Sequence, residues 1–166
     1  MFMSNLETLI FRGNLVESHH YIKCYLGKIN GEKIFSTDND DDLFYPRSSI
    51  KIFQGLPFLN SRAFEFYNLN KKQIALSCSS HCGERSHIKE LKNWLKKINL
   101  SVSNLKCGIH NPLHKESSEK LFSSGSKPDQ LHNNCAGKHL AMLTTCLANN
   151  FSINNYIRFD HPHQKN

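Results

Sequence analysis

The segment Pro46-Arg47-Ser48-Ser49-Ile50-Lys51 constrains the fold most, because it places a serine three residues before a lysine where a helix should begin. Residues three apart on a helix share a face, so the Ser48 hydroxyl and the Lys51 amine should lie within reach of each other. A lysine that has lost its proton can act as the base for a serine that attacks a carbonyl carbon. Arg47 would supply a second cation that favours the proton loss. A helix cap followed by a solvated lysine is the alternative interpretation.

Length and composition predict one domain spanning residues 1–166, since 166 residues of which 39% are hydrophobic can bury a single core. The net charge of +7 would usually indicate nucleic acid as a partner, but the lysines are spread along the chain and no nucleic-acid-binding motif accompanies them. We therefore expect no nucleic acid partner. No apolar run approaches membrane-spanning length, so no membrane partner is expected either.

The amino-terminal residues lack the basic, apolar and cleavage regions of a signal peptide. The six cysteines are therefore expected to be reduced thiols in a cytoplasmic protein rather than a disulfide framework.

The first part of the chain is predicted to form antiparallel strands, and the second part helices. Residues 7–27 alternate in part between apolar and polar types, and Asn30-Gly31 is a strong hairpin-turn signal. The acidic residues 38–42 are expected to form a solvated loop. A helix should run from Ser48 to near Pro57, followed by a second helical piece over residues 58–67. The overall prediction is an α/β fold.

The apolar run at residues 73–78 predicts a short buried strand that would deliver Ser80 to a strand end. Apolar residues at helical spacing predict an amphipathic helix over residues 88–98. A short helix is expected around residues 117–122, and a last helix over residues 137–149.

Two groups of cysteine, histidine and lysine side chains are candidate metal ligands. The first group, Cys78, His81, Cys82 and His87, fits no closed four-ligand zinc pattern. The second, Cys135 and Lys138, has three-residue spacing where a helix should start. The pair alone indicates no more than a helix N-terminus with a surface lysine.

Several motifs occur in one order along the chain, and together they are far more specific than any one of them. They are Arg12-Gly13, Val16-Glu17-Ser18-x-His20, Pro46-Arg47-Ser48-Ser49-x-Lys51, Gln54-x-Leu56-Pro57, Ala75-Leu76-Ser77-Cys78-x-Ser80-His81-x-Gly83-Glu84-x-x-His87, Cys107-Gly108-x-His110-x-Pro112, Asn133-Asn134-Cys135-Ala136-Gly137-Lys138-His139-x-Ala141-Met142-Leu143 and His161-Pro162-x-Gln164. This series resembles the asparaginase II domain of the class 3 L-asparaginases, from near residue 10 to the end.

The resemblance implies hydrolysis of L-asparagine to L-aspartate and ammonia, on a fold like that of serine β-lactamases and penicillin-binding proteins. Ser48 would be the nucleophile or a nucleophile-activating hydroxyl, with Lys51 as its base, and Ser80 would belong to a second serine-lysine pair. The resemblance also implies two zinc ligands and two residues that line the substrate pocket. The ligands are Cys135 and Lys138, and the pocket residues are Arg47 and His139.

The family's chains are much longer, so the resemblance implies that this sequence is the amino-terminal half of a truncated domain. The lysine partner of Ser80 and a third zinc ligand would lie beyond Asn166, and Cys146, about three turns from Cys135 on the same helix, is a poor substitute. Three alternatives stay open: an asparaginase completed by a second polypeptide or as a fragment of a longer one, an inactive remnant, and a zinc- or amino-acid-binding module without catalysis. The resemblance also suggests a homodimer.

Overall fold

The computed structural model describes residues 6–37 and 43–165. The chain divides into two compact units, Met1–Tyr45 and Pro46–Asn166. The predicted acidic loop at residues 38–42 lies outside the described residues.

The first unit contains two antiparallel hairpins, as the alternating pattern predicts. Within residues 6–37, four strands form two separate two-stranded sheets: β1 Leu6–Arg12 with β2 Leu15–Ile22, and β3 Tyr25–Gly27 with β4 Lys33–Ser36. Gly13 joins β1 to β2 with a φ of +62°, a conformation that glycine adopts without steric cost. The predicted turn at Asn30-Gly31 joins β3 to β4, and there the Gly31 N–H donates to the Lys28 carbonyl.

The second unit is helical and is built around its last long helix, α6. The α-helices are α1 Lys51–Asn60, α2 Ala63–Phe66, α3 Lys71–Ser77, α4 Arg85–Lys97, α5 Lys115–Ser123 and α6 Ala136–Ala148. Short 3₁₀ turns occur at Arg47–Ile50, Val102–Asn104, Gln130–His132 and Pro162–Gln164. Helix α6 packs against α1, α2, α3 and α4. The predicted helices over residues 88–98, 117–122 and 137–149 are thus confirmed as α4, α5 and α6.

A buried polar contact ties α4 to α6 inside the core. Trp94 and Thr144 are fully buried, and the indole N–H donates to the Thr144 hydroxyl over 2.9 Å. The same hydroxyl donates to the Leu140 carbonyl within α6. A buried donor without a partner would cost about 1–3 kcal/mol, so this bond lets α4 place its one tryptophan at the centre of the unit.

The strand predicted for residues 73–78 is wrong, because these residues belong to helix α3. The Asn70 side chain accepts from the Gln73 N–H, and the Gln73 side chain accepts from the Asn70 N–H. This capping box satisfies two backbone donors that a helix start would otherwise leave free. A short apolar run suits a buried helix as well as a buried strand, so the cap decides between them.

The predicted helix end near Pro57 is also wrong, since α1 runs through Pro57 to Asn60. An internal proline removes one backbone hydrogen bond and usually ends or kinks a helix. Burial of the next residue offsets this loss, because Phe58 is 1% exposed and its ring lies 5.6 Å from that of Trp94. The predicted second helical piece shrinks to α2, which begins after Arg62 takes a left-handed conformation with φ of 53°.

The fold is a mixed α/β structure of helices with small antiparallel sheets. The finer prediction, an architecture like that of serine β-lactamases, stays a prediction. None of the helices in residues 6–37 and 43–165 is both long enough and apolar enough to cross a membrane.

Candidate active site

A buried lysine and two exposed serines form a continuous hydrogen-bonded chain in the second unit. Lys51 is the first residue of α1 and is 4% exposed. Its Nζ lies 2.6 Å from Ser80 Oγ and 2.8 Å from the carbonyl oxygen of Ser79. Ser80 Oγ lies in turn 3.0 Å from Ser48 Oγ. Lys51 therefore reaches Ser48 through Ser80, rather than through the direct contact that the three-residue spacing predicts.

The 3₁₀ turn before α1 holds Ser48 at the surface. Arg47 has a φ of 53°, a left-handed conformation that costs a non-glycine residue about 1–3 kcal/mol. The Ser49 hydroxyl donates to the Pro46 carbonyl over 2.5 Å, and the Lys51 N–H donates to the Ser48 carbonyl. The backbone around Ser48 is thus fixed by local bonds, while its hydroxyl and the Arg47 guanidinium remain exposed.

Two glycines, Gly55 and Gly137, lie close to the end of α3, three residues before Ser80. A methyl group on Gly137 of α6 would lie 2.1 Å from the Leu76 carbonyl oxygen, so α6 passes directly against the α3 backbone. A methyl group on Gly55 of α1 would lie 2.5 Å from Cys78 Sγ. Real Cβ atoms do not approach other atoms so closely. The close approach of α6 to the α3 backbone therefore requires glycine at position 137, whereas at position 55 a side-chain atom would have to move.

His139 is held in place by a tyrosine that the sequence pattern did not identify. The Tyr156 hydroxyl accepts from the Lys106 N–H over 2.9 Å, and its oxygen lies 2.7 Å from His139 Nδ1. This contact fixes the orientation of the ring, and the tautomer of His139 decides which of the two groups donates. Burial, with the nearby charges of Lys138 and Lys51, lowers the pKa of His139 to about 4. The ring is neutral at pH 7 and offers one N–H donor.

His81 follows Ser80 directly and is fixed in the same way. The Gly83 N–H donates to His81 Nδ1 over 3.1 Å, and the ring is 3% exposed. Burial, then the charges of His87 and Lys51, lower the pKa of His81 to about 4. The rings of His81 and His87 lie 5.5 Å apart, and both keep a buried nitrogen without a hydrogen-bond partner among the described residues. His81 therefore contributes a neutral ring beside the serine pair.

Three loops meet at the start of α6. The His81 N–H donates to the Asn134 carbonyl, and the Asn134 N–H donates to His110 Nε2. The Asn133 side chain donates to the Cys107 carbonyl over 2.7 Å and accepts from the Cys135 N–H over 2.8 Å. These bonds join the Ser80 loop and the Cys107 loop to the first turn of α6, where Cys135, Lys138 and His139 lie.

The described residues do not form a complete zinc site around the predicted ligands. Cys135 directly precedes α6, and Lys138 is its third residue. In residues 6–37 and 43–165, no group of three or more His, Cys, Asp and Glu side chains could hold a metal ion. The charges of Cys135 and Lys138 act on the Cys107 thiol, but burial raises the pKa of Cys107 to about 11, and its Sγ donates to the Gln130 carbonyl over 3.5 Å. Cys146 is fully buried in the core, where burial raises its pKa to about 11.

The fold and site define a mixed α/β protein in which two exposed serines lie beside a buried lysine amine. The sequence model of the family described as L-asparaginase II matches residues 9–166, essentially the whole chain, and the chain belongs to this family. A search of curated proteins found no significant match.

Proposed function

We propose that this protein is an L-asparagine amidohydrolase in which Ser48 is the nucleophile, Ser80 relays its proton and Lys51 is the base. The hydrogen-bonded chain from Lys51 Nζ through Ser80 Oγ to Ser48 Oγ supports this assignment most directly. Family membership supports the reaction class. The base is buried and both hydroxyls are exposed, so substrate can approach the serines while the amine stays shielded from water.

In the structure Lys51 donates to Ser80 and Ser80 donates to Ser48, so the protons must move in the opposite direction during the reaction. With Lys51 neutral, Ser80 gives its proton to Nζ and takes the proton of Ser48 as Ser48 Oγ bonds to the side-chain amide carbon of asparagine. The tetrahedral intermediate then breaks its C–N bond, and the proton returns along the chain to the departing ammonia. Water attacks the resulting Ser48 ester, which releases L-aspartate and restores the Ser48 hydroxyl.

Positive and donor groups around the serines would stabilise the negative oxygen of that intermediate. The Arg47 guanidinium is exposed beside Ser48 and makes no ion pair with a described residue, so it is available to a carboxylate or an oxyanion. His139 contributes a neutral ring whose orientation is fixed by Tyr156. We assign both residues to substrate binding.

Zinc enters the proposal only through the family resemblance. Cys135 and Lys138 would supply two of its ligands, and the described residues do not complete the set. No step of the proposed reaction passes through the metal. L-asparagine is the proposed substrate, and association with a second copy or with another polypeptide remains part of the proposal.

Ammonia release from L-asparagine by the purified chain tests the proposed activity. We expect Ser48→Ala and Lys51→Met each to reduce kcat/KM by about a thousandfold or more, because members of one relay fail together. Ser79→Ala is the matched serine control, since its hydroxyl makes only a 3.4 Å contact to the Leu76 carbonyl and its own carbonyl still accepts from Lys51. Lys72→Met, on the exposed face of α3, is the matched lysine control.

A serine-directed reagent followed by mass spectrometry identifies the nucleophile. Modification of Ser48 that disappears in Lys51→Met supports the assignment. Modification of Ser80 in preference to Ser48 would indicate that Ser80 is the nucleophile and Ser48 the relay. Binding of L-asparagine without ammonia release, from a chain that melts cooperatively, would contradict catalysis and favour an amino-acid-binding module.

A further inference from the structure

A basic groove lies between α4 and the segment that contains α5, and it is separate from the serine pair. Its volume is about 920 Å³. We define the basic groove by its six cationic side chains, Arg85, Lys89, Lys92, Lys96, Lys120 and Lys127. Among the residues that the structure describes, Asp129 is the one acidic residue in the lining of the groove.

The cations on α4 follow the helical repeat. Arg85, Lys89, Lys92 and Lys96 are spaced by four, three and four residues, so all four point from one face of the helix. Leu91, Trp94 and Leu95 bury the opposite face in the core. The row extends over roughly 16 Å of helix at 1.5 Å per residue. The core packing of α4 therefore holds a line of positive charge along one wall of the groove.

The positive charge of the groove is largely unneutralised. No acidic side chain in the described part of the chain forms an ion pair with Arg85, Lys89, Lys92, Lys96 or Lys127. Lys120 pairs with Glu116 over 2.6 Å, and Asp129 bonds to His132 over 2.8 Å. Like charges that face one another across a groove repel, and an anion that bridges them removes this cost.

The geometry points to a compact polyphosphate anion as the ligand of the basic groove, either a free oligophosphate chain or the triphosphate of a nucleotide. The volume is within the range of about 300–1,000 Å³ that is typical of small-ligand sites. Lysine and arginine are the usual partners of phosphate oxygens. Apart from the ring of His132, the lining contains no aromatic side chain on which successive bases could stack, so single-stranded nucleic acid fits the groove less well.

Isothermal titration calorimetry with inorganic tripolyphosphate tests the assignment on the full chain. We expect binding at low ionic strength that weakens steeply as salt is added, because several charge contacts are involved. The double variant Lys89→Glu/Lys92→Glu should weaken binding by about tenfold or more, since it replaces two attractive contacts by repulsive ones. Both residues are exposed, so the melting temperature should change little.

A matched variant separates the groove from the general positive charge of the protein. Lys71→Glu/Lys72→Glu makes the same change in net charge on exposed residues of α3 that do not line the groove. It should leave tripolyphosphate affinity within about threefold of wild type, because the charges lie outside the site and are screened. Equal losses in both double variants would overturn the proposal, and so would the absence of tripolyphosphate binding by the wild-type chain.

Two further ligands identify the source of the polyphosphate. ATP that binds more tightly than tripolyphosphate, and is lost in Lys89→Glu/Lys92→Glu, supports a nucleotide. Equal affinities for ATP and tripolyphosphate would indicate that the groove recognises only the phosphate chain. A single-stranded oligonucleotide that binds more tightly than either, and competes with both, would overturn the assignment in favour of nucleic acid.

Discussion

Replacement of Gly137 by alanine should destabilise the second unit, because the added methyl group meets backbone rather than a movable side chain. The new Cβ would lie 2.1 Å from the Leu76 carbonyl oxygen and 2.7 Å from its carbonyl carbon, whereas ordinary contact begins near 3.4 Å. Helices α3 and α6 must therefore separate by more than an ångström. Such overpacking costs about 1–3 kcal/mol, and the better helix propensity of alanine returns at most about 1 kcal/mol.

Because the clash is with backbone, the cost should lie at the upper end of this range, and the expected net loss in the free energy of unfolding is about 2 kcal/mol. Such a loss lowers Tm by roughly 4–8 °C for a chain of this size. Thermal and urea unfolding followed by circular dichroism measure this loss. Ammonia release should fall further than stability alone explains, because the displaced end of α3 leads to Ser80.

Gly55→Ala is the matched comparison for Gly137→Ala. Its added methyl group meets only Cys78 Sγ, at 2.5 Å, and that atom can rotate away. We expect a change in stability within about 1 kcal/mol, and Gly55→Ala/Cys78→Ala should recover wild-type stability. A Gly137→Ala protein that melts at or above the wild-type temperature would refute the reasoning, since the two helix backbones would then not be in contact.

Three other predictions concern zinc, acid stability and association. If Cys135 is a zinc ligand, metal analysis should find zinc in the wild-type chain, and Cys135→Ala should bind zinc about tenfold more weakly. A wild-type protein that retains no zinc after purification in zinc-containing buffer would contradict the prediction. His81 and His139 each have their pKa lowered from 6.5 to about 4 in the folded state, so the unfolded chain binds more protons than the folded chain between these pH values. Stability should therefore fall from pH 6.5 towards pH 4 by up to about 1.4 kcal/mol per pH unit for each histidine, and these two groups should have no effect on it above about pH 7. Urea midpoints across pH check the slope, which His81→Gln should reduce. Phe11 and Val16 lie opposite each other on β1 and β2 and are 55% and 45% exposed, so the purified chain should associate through this apolar surface. Phe11→Lys should shift the mass measured by light scattering towards that of the monomer. A monodisperse wild-type monomer would contradict the predicted association.

Hydrophobic spacing predicted helix α4 well, because this helix buries one continuous stripe. Leu91, Trp94 and Leu95 are all buried in α4, at the spacing that indicated the helix. The turn chemistry of Asn30-Gly31 likewise predicted the hairpin of β3 and β4. These features depend on local sequence alone, so one chain is sufficient to recognise them.

The supports of the candidate site depend on contacts between distant residues, and spacing does not reveal them. Tyr156 reaches His139 across 17 positions, and the need for glycine at position 137 arises only from the approach of Leu76. Tyr156 belongs to none of the sequence motifs, and the motif that contains Gly137 does not show why glycine is needed there. A buried tyrosine hydroxyl needs a partner, but the chain does not indicate which one it finds.

The mistaken strand at residues 73–78 explains why the contact between Lys51 and Ser80 could not be predicted. Helix α3 ends at Ser77 with Cys78 as its C-cap, so the chain turns immediately before Ser79. The Ser79 carbonyl, one residue beyond the cap, accepts from the Lys51 amine over 2.8 Å, and Ser80 Oγ lies 2.6 Å from the same amine. These two contacts hold Lys51 against Ser80 rather than against Ser48. Both depend on the direction that the chain takes after α3, and the spacing of the residues within 73–78 does not reveal that direction.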